Sequence, residues 1–307
     1  MGSSNLAVDS QAPDVHETRR MRITPLSANI GALVEGVSLN ALNEDEFDEL
    51  HQTLLKHHVI FLRDQNLSEA DHVDLANRWG TPMANPVAKL HGDETVLHSV
   101  ENNAKKRPLA DGFHTDLTYW PEPPNLAILY ALDIPAVGGD TLWASLYAVY
   151  DSLSDEMKRV CQDLRALHKP SDHFIQANVA MYGAESEQVI RQNLQGAVLP
   201  FVRTHEETGR QALFLSSFID HLVGMHRPES DALLGYLGNL VNNPNYAVRW
   251  RWRAGDVAIW DERCTNHRAL SDHYPQYRLM RRCTVEGGRP FYRPDGASEP
   301  LFEGTFA

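Results

Sequence analysis

Cysteine is scarce in this chain: there are three in 307 residues, Cys161, Cys264 and Cys283. An odd number without Cys-x-x-Cys spacing argues against a disulfide framework and a structural zinc knot. It fits a reducing, cytoplasmic setting. Long apolar runs are also missing. No stretch approaches 18 consecutive apolar residues, so no transmembrane helix is expected. Positive charge is in deficit, with 28 Lys and Arg against 41 Asp and Glu and a net charge of −13. Without a basic face, neither nucleic acid nor an anionic membrane surface is an expected partner. The nearest approach to such a face is Arg249, Arg251 and Arg253. These alternate with Trp250 and Trp252 and read as one strand with a polar side. No Gly-x-Gly-x-x-Gly or P-loop spacing occurs, which removes the common nucleotide cradles. There is no internal repeat and no low-complexity tract. The N-terminal stretch has neither periodicity nor the apolar segment of a secretory signal, so residues 1–21 are expected to form a loose arm.

What remains is an ordinary globular composition, 42% hydrophobic and 22% charged, with an unusual 15 histidines. Asn43 to His57 reads as an amphipathic helix, and Ser68 to Arg78 as a second helix with a serine N-cap. Ser154 to Leu167 and Ser230 to Leu240 read as further helices. Strands are expected at Val59–Leu62, Leu126–Leu132, Thr141–Trp143, Ala247–Arg253, Val257–Trp260 and Arg278–Glu286. Leu199–Leu215 reads as a hairpin turning near Glu207-Thr208-Gly209. Residues 169–196 are polar and weakly patterned, and are expected to form an ordered, lid-like insertion in a single domain over 22–307. Strands dominate after residue 120 at hairpin-like spacing. The expected class is therefore mainly β with flanking helices, a sandwich or jelly roll rather than a Rossmann fold.

A His-x-Asp pair on an extended strand presents both side chains on one face. A distant third His completes the two-His-one-carboxylate set of non-haem iron oxygenases, which leaves coordination positions open. The motif alone is weak, because this composition yields about one copy by chance. Three copies occur: His72/Asp74, His91/Asp93 and His114/Asp116. The first falls in an expected helix, where residues i and i+2 point apart. The second falls in a loop-like stretch. The third precedes Tyr119-Trp120-Pro121, an aromatic setting suited to a substrate. Downstream, His267 follows an expected strand, and Arg278 comes eleven residues later with a guanidinium able to clamp a carboxylate. Thr141, within Gly138-Gly139-Asp140-Thr141-Leu142-Trp143, could offer that carboxylate a hydroxyl.

With these motifs in this order, the chain resembles the taurine dioxygenase / 2,4-dichlorophenoxyacetate dioxygenase family of Fe(II)- and 2-oxoglutarate-dependent oxygenases. The similarity runs from about residue 22 to residue 292. Its anchors are HTDLTYWPEPP (114–124), GGDTLW (138–143), FVRTHEETGRQALF (201–214), VRWRWRAGDVAIWDERCTNHRA (248–269) and YRLMRRCTVEG (277–287). The resemblance implies a double-stranded β-helix, or jelly roll, with Fe(II) held by His114, Asp116 and His267. It implies 2-oxoglutarate bound through Arg278 and Thr141, with Arg282 close to both cofactor and substrate acid group. O₂ is the second co-substrate, and a small organic acid is hydroxylated as 2-oxoglutarate becomes succinate and CO₂. A homo-oligomer, dimer or tetramer, is also implied.

Departures bear on the substrate. Where taurine-specific members carry a His before a Pro and a Tyr three residues on, this chain has Asn85 and Ala88, and a further polar position is Ala110. The pocket is thus expected not to suit taurine and to prefer a larger or more apolar acid. Asn85, Tyr119, Phe218 and Arg282 are the candidate substrate contacts. The family's Trp-Asp-Asn-Arg reads Trp260-Asp261-Glu262-Arg263. Two other functions compete: a zinc hydrolase built on the same ligands, and a cupin-like binding protein without turnover. The hydrolase leaves the Arg278/Thr141 clamp unexplained. The binding protein predicts loss of a ligand, and none is lost.

Overall fold

The computed structural model describes residues 21–108 and 112–293. The expected arm, save Met21, and Ala110 lie outside the described residues. Along the chain come β1 (Arg22–Pro25), β2 (Ala32–Glu35), α1 (Glu44–His57), β3 (Val59–Leu62), α2 (Glu69–Asn77), β4 (Pro82–Met83), α3 (Pro86–Leu90) and β5 (Leu97–Asn102). Next are β6 (Leu126–Asp133), β7 (Thr141–Ser145), α4 (Leu146–Asp151), α5 (Asp155–Gln162), β8 (Arg165–His168), α6 (Asp172–Tyr182) and α7 (Glu185–Asn193). The remainder comprises β9 (Ala197–Pro200), β10 (Val202–Thr204), β11 (Gln211–Leu213), β12 (Ile219–Leu222), α8 (Arg227–Val241), β13 (Ala247–Trp250), β14 (Val257–Asp261), β15 (Thr265–Ala269) and β16 (Arg278–Val285).

Eight strands form the large sheet in the order β1-β2-β3-β14-β6-β16-β4, with β5 beside β4 on the same flank of β16. Its central strands β3, β14 and β6 are buried on both faces, which is why they read as continuous apolar runs. In β14, Val257 and Ile259 face outward onto Leu50 and Leu54 of α1 and Leu75 of α2. Ala258 and Trp260 face inward, with Phe61, Leu129 and Met280. The small sheet β13-β7-β15 covers that inner face. Tryptophans knit the two sheets: Trp250 stacks on Phe61 at 4.3 Å, and Trp143 meets Trp260 edge-on at 5.6 Å. This is the double-stranded β-helix that the sequence led us to expect. Helices close the outside. Capping boxes at Asn43/Glu46 and Ser68/Asp71 start α1 and α2 where side-chain chemistry placed them.

Several boundaries differ from expectation. The helix expected to reach Leu167 stops at Gln162, and β8 takes over because Ala166 and His168 turn inward between β9 and β12. β13 ends at Trp250 rather than Arg253, although Trp252 remains buried. The weakly patterned 169–196 segment is a helical pair, α6 and α7. It packs Ile175, Ile190 and Leu194 against Val87, Leu117 and Tyr119. Among the described residues no helix is long and apolar enough to cross a membrane.

Candidate metal centre

The His114–Asp116 pair does not lie on a strand, contrary to expectation. His114 forms a single antiparallel bridge with His267, main chain to main chain at 3.0 and 2.8 Å, and the chain turns at once. Leu117, at φ 52°, completes that turn. Thr115 anchors the segment on its other side: its hydroxyl donates to Thr265 O at 2.8 Å and accepts from Asn266 Nδ2 at 2.8 Å. With Thr115 pinned away, the neighbours on either side face inward. β15 delivers His267 opposite Trp143 of β7.

Donor atoms of His114, Asp116 and His267 all lie within 4.8 Å of one another. The Nε2 atoms of His114 and His267 stand 3.6 and 3.8 Å from Asp116 Oδ1. This is the only such cluster of three metal-binding side chains among the described residues. Two imidazoles and one carboxylate on a single side fit Fe(II) and leave other positions open. Their protonation suits the task. Burial would raise the Asp116 carboxyl, but Arg282 above all, then His267 and His114, hold it well below the usual carboxylate range. Burial, reinforced by His114, pulls His267 down to about 3, so its ring is neutral and able to ligate. His114 Nδ1 lies 3.0 Å from Gly112 O, which places its proton there and frees Nε2.

Arg282 extends from β16 to Asp116 Oδ2 at 2.8 Å. Its neighbour Arg281 points to the other face, donating to Leu67 O and Ser68 O at 2.7 and 2.8 Å. Four residues back on the Arg282 face, Arg278 is 3% exposed, yet its Nε and Nη2 have no hydrogen-bond partner. Burial lowers this guanidinium to about 10, opposed by Asp140, so it stays cationic at neutral pH. Asp140 is itself engaged by Arg249 at 2.7 Å. A buried cation with free donors is costly unless an anion arrives. Thr141 Oγ1 accepts from Trp252 Nε1 at 2.9 Å, which leaves its own proton to donate. Gly139, at φ +72°, makes room for the arginine: a Cβ there would stand 3.1 Å from Arg278 Cδ and 3.3 Å from its Nε. Gly139→Ala should therefore raise the KM for 2-oxoglutarate at least about tenfold with the metal affinity intact. Equal KM values in a succinate assay would refute this.

The substrate candidates fare differently. Asn85 uses its side-chain oxygen to cap α3, accepting from Val87 N at 2.8 Å. Tyr119 and Phe218 meet edge-on at 5.0 Å, with Phe174 of α6 beside both. The Tyr119 hydroxyl is buried without a partner. Burial, then Asp116, raises its pKa, so it is a neutral donor. His91 stacks on Tyr182 at 4.4 Å. His273 is buried against Gly139. Two residues escaped sequence reasoning. His98 of β5 pairs in register with Arg282 and accepts the Asn85 N–H at 3.2 Å. Its signal was a short alternating run, too brief to separate from a loop. Glu262 is fully buried behind the ligands and accepts Asp116 N–H at 3.1 Å and Trp260 Nε1–H at 2.7 Å. Burial and then Asp116 push its carboxyl well above the ordinary value.

Compared with known proteins, residues 22–284 match the profile described as Taurine catabolism dioxygenase TauD, TfdA family. This chain belongs to that family. Its members use Fe(II), 2-oxoglutarate and O₂, and this TauD/TfdA protein is a dioxygenase, an oxidoreductase, in which a His-Asp-His triad is present. It is 32% identical over 284 residues to the alkylsulfatase of Acinetobacter baylyi, covering 88% of this chain and 86% of the relative. It is also 32% identical to the alpha-ketoglutarate-dependent sulfate ester dioxygenase of Pseudomonas putida, covering 87% and 90%. A crystal structure of a taurine dioxygenase from Burkholderia xenovorans matches with a TM-score of 0.75 at 32% identity, over 92% of this chain and 97% of that one.

Proposed function

We propose that this dioxygenase hydroxylates a small organic acid other than taurine, at a carbon that bears the acid's oxygen substituent. A sulfate ester is the class suggested by the names of two relatives. The observation that carries the co-substrate half of this reading is Arg278, a buried cation with two unpaired donors packed against Gly139, two residues before Thr141. His114, Asp116 and His267 would hold Fe(II). When bound, the metal supplies the redox chemistry that couples O₂ and the decarboxylation of 2-oxoglutarate to C–H hydroxylation. Arg278 and Thr141 grip the far carboxylate of 2-oxoglutarate with charge-assisted and hydroxyl hydrogen bonds. Arg282 holds Asp116 in place and offers its remaining donors to the substrate's acid group. Tyr119, Phe174 and Phe218 wall the pocket against water, and the Tyr119 hydroxyl, free of any partner, donates to an oxygen of the substrate. The α6–α7 pair serves as the cover. Hydroxylation at a carbon bearing an ester oxygen gives a product that collapses to a carbonyl and releases the oxyanion. Three buried, unpaired cysteines support a cytoplasmic setting. A zinc hydrolase built on the same triad would leave Arg278 without an anion to hold.

The test is anaerobic titration of the Fe(II) protein with 2-oxoglutarate, following the weak visible metal-to-ligand charge-transfer band. Wild type should show the band. Arg278→Ala should need at least about 30-fold more 2-oxoglutarate, the factor for removing one partner of a buried charged contact. Absence of the band in wild type would overturn the reading. Succinate formation with alkyl sulfates but not with taurine would then establish the substrate class.

A further inference from the structure

Glu262 is not one of the metal-binding side chains, yet it touches two of them from behind. Its Oε2 accepts the Asp116 N–H at 3.1 Å, and its Oε1 stands 3.9 Å from His267 Nδ1. That His267 nitrogen is buried and has no hydrogen-bond partner. The two histidines are therefore unequal. His114 Nδ1 has Gly112 O at 3.0 Å. Among the described residues, His267 Nδ1 has only the Glu262 carboxyl within ion-pair distance.

The surroundings keep Glu262 where it is. Trp260 Nε1–H donates to Oε1 at 2.7 Å, and the Glu262 N–H donates to Asn125 O at 2.9 Å. On either side in sequence, Asp261 and Arg263 are joined at 2.7 and 2.9 Å, and His205 holds Asp261 at 2.9 Å. The β14–β15 turn is thus braced by buried ion pairs, and Glu262 cannot swing out to solvent. An imidazole ligand whose second nitrogen donates to a carboxylate has a fixed tautomer and a more basic ligating nitrogen.

We propose that Glu262 is a positioning residue for the metal centre, orienting His267 through Nδ1–H while it holds the Asp116 main chain. This rests on the assignment of His114, Asp116 and His267 as ligands. Ligation through His267 Nε2 would put the proton on Nδ1, the ring nitrogen that stands 3.9 Å from Glu262 Oε1.

Two measurements test it with Co(II) as the probe, neither of them turnover. In wild-type Co(II) protein dissolved in H₂O, proton NMR should show two hyperfine-shifted, slowly exchanging imidazole N–H signals, one per histidine. A single persistent signal, belonging to His114, would overturn the proposal without any variant. Glu262→Gln should weaken Co(II) binding by about 10- to 100-fold and remove or shift one of the two signals, with the unfolding midpoint of the metal-free protein reported alongside. A folded Glu262→Gln with affinity within about threefold of wild type and both signals unchanged would also overturn it. If wild type itself fails to bind Co(II), the ligand assignment fails. If wild type binds and the histidine signals do not respond, only the role of Glu262 fails.

Discussion

His267→Ala will abolish turnover and leave a folded protein. The ring is 7% exposed, and its Nδ1 has no partner in the metal-free chain, so its removal breaks no satisfied polar contact there. The cost to stability is that of a modest cavity beside Trp260, whose ring centroid lies 5.0 Å away. The cost to metal binding is far larger. Only His114 and Asp116 would remain, two donors two residues apart on one segment in place of three facing ones. Loss of an outer partner of a ligand already costs 10- to 100-fold in affinity, so loss of the ligand itself should exceed about 100-fold. Anaerobic Co(II) titration and succinate formation, read beside circular dichroism, separate the two effects. A folded variant that binds Co(II) as wild type does would sink the assignment of the centre.

Acid will unfold the metal-free protein well above the usual carboxylate range. Burial holds His58 and His72 at about 4 and His168 at about 3, against an ordinary value of 6.5. Arg210 adds to the lowering at His58 and Arg281 at His72. His267, at about 3, behaves alike. These folded-state values lie below the unfolded one. Below pH 6.5 the unfolded chain therefore takes up protons that the folded chain refuses. The stabilisation is complete above pH 6.5 and declines as pH falls toward 4. Glu262, raised by burial and Asp116, works in the opposite sense and offsets at most one proton. A net difference of about three protons costs about 6 kcal/mol by pH 5, comparable with the whole stability of many domains. Urea unfolding at pH 7 and pH 5 measures it directly. Equal midpoints at the two values would show that these histidines are not buried neutral.

The strands of the inner core were readable because both of their faces are covered. Leu126–Asp133 shows an apolar run only since α1 and α2 shield one side and the tryptophan layer the other. The starts of α1 and α2 were readable because their caps are local chemistry. The β8 strand was not, since nothing within Arg165–His168 distinguishes it from the end of a helix; pairing with β9 and β12 decides it. The α6–α7 pair was missed because it buries few residues of its own and leans on α3 and the 117–120 turn.

The same division runs through the site. The candidate ligands and arginines could be picked out by residue type and spacing together with the family resemblance, because a metal triad and a carboxylate clamp demand particular atoms whatever surrounds them. Which arginine of the adjacent pair enters the site is a matter of strand alternation once β16 is set: Arg282 enters and Arg281 leaves. How His114 and Asp116 come to face one another and His267 was decided by tertiary structure, through a bridge between residues 153 positions apart and a turn at Leu117. The fate of Asn85 was decided there too, since a side chain that could have met a substrate instead caps a helix. Glu262 is the clearest case. In sequence it is one changed letter beside Asp261; in the folded chain, burial and the approach of Asp116 and His267 place its carboxylate against the centre. Sequence determined which atoms are available for the chemistry, because those are intrinsic to the residues. Only the fold decided which of them are desolvated, paired or left free, because those properties belong to the neighbours.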